Sequence, residues 1–222
     1  MQSYSMLGDT QVQANFITSP GFLHCKLPKN CINELKTTLN KMYSGEIEMV
    51  DNRPQGERHL TKETKMPIGP LMKKFTEDLA YKYDEVFKGG DNLFSEYFFV
   101  DDLDKIVYDT KAMWVNHSYK YDFNPVHRHE GMFAFVIWVK IPYDIEEELK
   151  RHQGNASQTS CFAIHYTNSC GRLITKILEI DKSFEWNIIL FDAFLPHSVL
   201  PFYTSDDVRI SIAGDIFATL KE

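Results

Sequence analysis

The sequence predicts a mainly β fold of jelly-roll type with flanking helices, the N-terminal helices lying on one sheet. Three observations carry this. After Gly90 the chain runs through short segments rich in aromatic and β-branched residues, separated by turn residues and without alternating helices. Before Gly90, two stretches repeat apolar residues at helical spacing. Finally, 43% hydrophobic and 14% aromatic residues in 222 positions supply one sizeable core. The expected organisation is therefore a single domain over 1–222, with 1–90 as helical support and 91–222 as the β core.

Charge and composition exclude several functions. A net charge of −7, with no Lys/Arg run longer than two, leaves no footprint for a phosphate backbone, so nucleic acid is not expected as a partner. Met1 to Thr10 is polar, and no apolar run reaches the length of a membrane span, so no membrane association and a cytoplasmic location are expected. Cys25, Cys31, Cys161 and Cys170 are scattered without a paired spacing and read as reduced thiols, not ligands.

In chain order, Gln11 to Leu27 reads as an edge hairpin that turns at Ser19-Pro20-Gly21. A helix follows Asn30, carrying Ile32, Leu35, Leu39, Met42 and Tyr43 on one face and stopping at Ser44-Gly45. Val50 to Thr64 is polar and aperiodic, hence a loop. The second helix runs from Pro70 to Gly89-Gly90 with Leu71, Met72, Phe75, Leu79, Tyr83, Val86 and Phe87 as its stripe. Both stripes are core. Strands are expected at 94–100, 105–108, 112–117, 132–141, 161–166, 172–180, 186–191 and 208–217. Between the fourth and fifth of these, Asp144 to Arg151 forms a short acidic helix that leads into a polar tract, 153–160. Its composition favours a solvated crossover over a lid.

The chemistry centres on Phe123-Asn124-Pro125-Val126-His127-Arg128-His129-Glu130-Gly131, at the mouth of an apolar strand. In an extended segment His127 and His129 share a face, a spacing suited to gripping a metal. His197, after the apolar strand ending at Phe191, offers a third imidazole. Oxygen-activating iron sites commonly order their ligands as His-x-Asp/Glu and a distant His, whereas here His129 fills the carboxylate slot. A bulge after His129 would bring Glu130 inward as an alternative ligand. His24, His59, His117, His152 and His165 lack paired spacing and are given no such role.

Arg209 shares one face with Ser211 and Ala213 in an alternating strand, so it points into the barrel. A buried guanidinium needs a partner. Asp192, another acidic residue, or the far carboxylate of a bound dicarboxylate would serve, and an arginine forks onto a carboxylate with two hydrogen bonds.

Taken together, FNPVHRHEG-MFAFVIWVKIP and FLPHSVLPFYTSDDVRISIAG resemble the Fe(II)/2-oxoglutarate-dependent oxygenase superfamily, in particular the hydroxylase-like branch encoded by T4-like and marine tailed phages. The similarity spans roughly 114–216. It implies a cupin-like double-stranded β-helix, Fe(II) as cofactor, 2-oxoglutarate and O2 as cosubstrates, and admits ascorbate. It implies His127, His129 and His197 as metal ligands and catalytic residues, and Arg209 with Ser211 as the pair that binds the distal carboxylate. Trp114 and Asn116 match a WxN facing the cosubstrate. Asp192 stands where a small residue is expected, and an acidic group near Arg209 would weaken cosubstrate binding. The implied activity is hydroxylation of a small molecule or peptide, with peptidyl proline the first substrate to try; for a phage protein the location would be the host cytoplasm. Two alternatives remain open: a three-histidine cupin-like oxygenase without 2-oxoglutarate, and a non-enzymatic jelly-roll metal-binding or structural module. Tyr119, Tyr121 and Phe123 either line an entrance or pack under the loop.

Overall fold

A computed structural model describes residues 2–15, 21–50, 61–87, 106–151, 158–168 and 170–221. Its strands are β1 (Gln2–Leu7), β2 (Thr10–Asn15), β3 (Phe22–Lys26), β4 (Lys62–Lys65), β5 (Ile106–Ser118), β6 (Asn124–His127), β7 (Phe133–Lys140), β8 (Phe162–Thr167), β9 (Leu173–Leu178), β10 (Asn187–Asp192), β11 (His197–Val199) and β12 (Arg209–Leu220). Helices α1 (Lys29–Tyr43), α2 (Pro70–Phe87) and α3 (Ile145–Arg151) accompany them. The larger antiparallel sheet runs β1-β2-β3-β10-β7-β12-β5-β4, the smaller one β6-β11-β8-β9. Two facing antiparallel sheets make the expected jelly roll.

Strand alternation sorts the core into two layers. In β7, Phe133, Phe135 and Ile137 join a cluster with Leu35, Leu39, Met72, Phe75 and Leu79 of the helices. Ala134, Val136 and Trp138, between them in sequence, join Phe162, Ile164, Ile189 and Phe191 in the space between the sheets. The predicted stripes of α1 and α2 thus cover the outer face of the larger sheet, except that Tyr43 and Leu71, at the helix ends, are exposed and not core. The two helices are tied end to side: both carboxylate oxygens of Glu34 accept from α2, from Leu71 N at 3.1 Å and Met72 N at 2.7 Å, which satisfies donors the helix start leaves open.

Several elements differ from expectation. The strands read at 105–108 and 112–117 are one strand, β5, paired along its length with β12 around a bulge at Lys111. The polar residues suggesting a break are satisfied by α2: Asp109 takes Lys73 Nζ at 2.7 Å, and Thr110 Oγ1 bonds Thr76 Oγ1 at 2.7 Å. The loop read over Val50 to Thr64 contains the short β4, held as an edge against β5. Its remainder, 51–60, lies outside the described residues, as does the strand expected at 94–100. The N-terminal hairpin forms as β2–β3, but β3 pairs with β10 and the edge is β1. Residues 1–90 therefore supply strands as well as helices to the larger sheet.

The insertion begins as expected, with Asp144 Oδ1 accepting from Glu146 N at 2.8 Å. It is not simply solvated, because Glu148 is fully buried. Its carboxylate accepts from Thr159 Oγ1 (2.9 Å), Ser160 Oγ (2.8 Å), Tyr203 N (2.9 Å) and Thr204 N (2.6 Å), which pins α3 to the segment before β12. Burial pushes this carboxyl up, and the hydrogen bonds outweigh it, holding the group below the ordinary glutamate value.

Candidate metal centre

His127 ends β6, and His197 opens β11 directly opposite it, so the two imidazoles are cross-strand neighbours on the smaller sheet. His129 is not on a strand, contrary to the continuous extended segment expected. The chain must pass from the small sheet into β7 of the large one, and 128–132 make that crossing. Two backbone bonds fix it: His129 N donates to Ala193 O at 2.8 Å and Met132 N to Ile216 O at 2.7 Å. Gly131 allows the approach, since a Cβ there would lie 2.7 Å from Ile216 O.

The three histidines converge, with potential ligand atoms all within 4.8 Å of one another. His197 is held between Phe162, stacked at 5.3 Å, and the edge of Phe191 at 4.8 Å. Trp114 stacks on His129 at 5.6 Å.

The outer nitrogens decide what the rings can do. His127 Nδ1 lies 2.7 Å from Pro125 O, and His197 Nδ1 lies 2.9 Å from Leu195 O. A carbonyl only accepts, so each Nδ1 carries the proton and each Nε2 presents a lone pair. His129 Nδ1 lies 2.9 Å from Asp215 Oδ1, off the axis of a fully aligned hydrogen bond. His129 Nε2 and His197 Nε2 are 3.2 Å apart. With the proton of His129 on Nε2 that contact is an N–H···N hydrogen bond to His197; with the proton on Nδ1, facing Asp215, both Nε2 lone pairs are free to share one cation. Two imidazoles at right angles on one ion, with bonds of ~2.1 Å, would be ~3 Å apart. The donor set therefore fits a divalent transition metal. Burial lowers the pKa of His127 and, far more, of His197, with neighbouring imidazoles adding to both, so these rings stay neutral and able to ligate.

Beside this group opens a cavity of about 720 Å³, whose wall includes Trp114, Asn116, Asn124, Ser211, Ala213 and Asp215. The expected cosubstrate residues Trp114, Asn116 and Ser211 are thus brought together with the histidines. Among the described residues, Asn116 Oδ1 is buried without a hydrogen-bond partner. Arg209 is inward and 3% exposed, its guanidinium 5.3 Å from the Phe202 ring centroid and Nη1 donating to Leu200 O at 3.3 Å. It is not part of the cavity wall. Among the described residues its Nη2 has no hydrogen-bond partner, and the Tyr143 hydroxyl is its polar neighbour. Asp192 is not that partner: Ile188 and Leu190 place its face of β10 toward the helices, and its Oδ1 accepts from Phe194 N at 2.7 Å. The anticipated competition between Asp192 and a bound diacid therefore does not arise.

Glu130 is exposed, and the convergent group contains His129 in its stead. Tyr119, Tyr121 and Phe123 are exposed and off the cavity wall. His165 bonds Ser198 Oγ at 3.0 Å and Thr175 Oγ1 at 3.1 Å, His117 meets Tyr43, and His24 stacks on Phe184. His59 and His152 lie outside the described residues. Cys25, Cys31 and Cys161 are buried free thiols, as expected, and Cys170 is exposed. Sequence reasoning missed Asp215. The signal was present: 209, 211, 213 and 215 alternate onto one face, and the reading stopped at Ala213.

Two facing antiparallel sheets thus carry three convergent imidazoles beside a cavity. Residues 112–215 match a family model described as "Putative 2OG-Fe(II) oxygenase", a segment reaching from just before Trp114 to Asp215. Among solved structures, the non-heme α-ketoglutarate-dependent carbocyclase SnoK from nogalamycin biosynthesis superposes with a TM-score of 0.54 at 8% identity, covering 90% of this chain and 81% of that one. A Pseudomonas putida prolyl-4-hydroxylase superposes with a TM-score of 0.51 at 12% identity, covering 88% and 91%. These likenesses establish the fold. No curated protein matches the sequence. Among the described residues no helix is long and apolar enough to cross a membrane.

Proposed function

We propose that the protein is an Fe(II)- and 2-oxoglutarate-dependent oxygenase. One observation carries the reading: three imidazoles whose Nδ1 atoms face fixed oxygens and whose Nε2 atoms converge beside a cavity, inside the segment that matches the oxygenase family model. His127, His129 and His197 would hold the metal. Bound iron would supply activation of O2, coupled to decarboxylation of 2-oxoglutarate to succinate, and with it the power to oxidise a C–H bond.

The chain's own residues bind and orient. Arg209 stands just off the cavity wall beside Tyr143, and its guanidinium, turned toward the cavity, would fork onto the distal carboxylate of a diacid. Ser211, on the cavity wall and on the same face of β12, adds a hydroxyl. Trp114 and Phe162 flank the imidazoles and orient them. Beyond this, the reading is hydroxylation of a small molecule or peptide, ascorbate being a usable reductant, by a cytoplasmic protein that binds neither nucleic acid nor membrane. Its sequence resembles the tailed-phage branch of the superfamily. Peptidyl proline is the first substrate to try, given the fold shared with the prolyl hydroxylase.

Anaerobic addition of Fe(II) and 2-oxoglutarate should give a visible charge-transfer band, followed in air by succinate release matched to oxygen uptake. Absence of band and succinate alike would refute the proposal. The all-histidine donor set favours one second reading, an oxygenase that binds its organic substrate on the metal without 2-oxoglutarate. Oxygen uptake without succinate would select it.

A further inference from the structure

We propose that Asp215 supplies, through His129, the negative charge that a carboxylate ligand would otherwise give the metal. The inference rests on the metal-site reading above. His129 occupies the slot in which a carboxylate is usual, leaving three neutral ligands around a divalent ion. Of the three imidazoles, His127 and His197 face neutral backbone carbonyls. His129 faces a carboxylate, 2.9 Å from Nδ1 to Oδ1, with side-chain exposures of 12% and 14%. The charge missing from the ligand set is thus present one bond network further out, behind the ligand that replaced it.

The backbone is built for this approach. The bulge that sets Asp215 opposite Ala112 and Ile216 opposite Thr110 lies beside it, and Gly131 lets the crossing segment lie against β12. A Cβ at Gly131 would also come within 3.3 Å of Asp215 Cβ. No Lys or Arg among the described residues forms an ion pair with Asp215, and its Oδ1 is buried without an aligned donor. A carboxylate on the cavity wall that lacks an aligned donor favours a nearby cation, and a metal on the far side of His129 would supply one. Trp114, stacked on the same ring, fixes its orientation. A small rotation of the imidazole on ligation would bring Nδ1–H onto the carboxylate, polarising the ring and raising its basicity. Asp215 is therefore a positioning residue, acting on the metal through His129.

The test is Co(II) affinity by titration calorimetry for wild type, D215N, H129D and H129D/D215N, with thermal melts of the apoproteins as the folding control. D215N should weaken Co(II) by about 10- to 100-fold in the wild-type background. In the H129D background the ligand itself carries the charge, so D215N should leave affinity unchanged or tighten it. Proton NMR of the Co(II) protein gives a second readout that does not need H129D. Of three hyperfine-shifted ring N–H signals, D215N should move one and leave two. Equal Co(II) affinity of D215N and wild type, equal weakening in both backgrounds, or movement of all three signals or none would each overturn the inference while leaving the metal site standing. Failure of the wild type to bind Co(II) would overturn both.

Discussion

Gly131→Ala tests how tightly the fold holds the metal centre. The added Cβ would lie 2.7 Å from Ile216 O, 3.1 Å from Phe133 O and 3.3 Å from Asp215 Cβ. Two of these are backbone atoms, and Ile216 O is already the acceptor for Met132 N at 2.7 Å. Neither a rotamer change nor a flexible side chain can relieve the overlap, so the crossing segment must move off β12. Overpacking of this kind costs about 1–3 kcal/mol. For a chain of this size each kcal/mol lowers Tm by about 2–4 °C, so the apoprotein should melt about 2–12 °C lower. The displaced segment carries His129, so Co(II) affinity should fall by about tenfold, or ~1.4 kcal/mol. Circular dichroism melts and calorimetry measure the two effects on one preparation. An unchanged Tm together with unchanged Co(II) affinity would refute the close approach on which this account of the site depends.

Arg209→Lys keeps a charge but loses the fork and should weaken 2-oxoglutarate by at least about tenfold in anaerobic Fe(II) titrations, with metal affinity retained. Glu148→Ala strands several donors and should cost about 3 kcal/mol or more in chemical denaturation. The acid limb of stability also follows from Glu148: its folded pKa is lowered, so its contribution is full above the ordinary carboxylate value and disappears as pH falls through the folded one. Melts against pH should show a weaker acid loss in Glu148→Gln. His127 and His197 act in a higher window, since both folded pKa values lie below the reference 6.5. As pH falls below about 6.5 the unfolded chain takes up protons that the folded chain refuses, so the apoprotein should lose stability there, and a saturating metal should make that loss steeper.

Much of this was legible in the sequence because it depended on local periodicity. The helical stripes of α1 and α2, the apolar β7 and β10, and the His127, His129 and His197 set follow from spacing and from the position of each histidine beside a buried strand. What was hidden depended on partners distant in the chain. Asp109 and Thr110 read as a strand break because the side chains that satisfy them, Lys73 and Thr76, sit on a helix more than thirty positions earlier. β4 has no periodicity and exists by pairing with β5. Glu148 looked like one of three surface acids on a short helix, and the carboxylate is enclosed by Thr159 and Ser160 together with Tyr203 and Thr204, more than fifty positions on. The inward direction of Arg209 was readable from alternation; that Asp192 faces the helices was readable by the same rule, and proximity in sequence to the site obscured it.

The most direct measurement is calorimetric titration of the metal-free protein with Co(II) under nitrogen, alongside His127→Ala and His197→Ala. One equivalent should bind to the wild type, and each substitution should weaken it by at least about a hundredfold, ~2.7 kcal/mol. Binding that survives both substitutions, or no binding to the wild type, would contradict a metal held by these imidazoles.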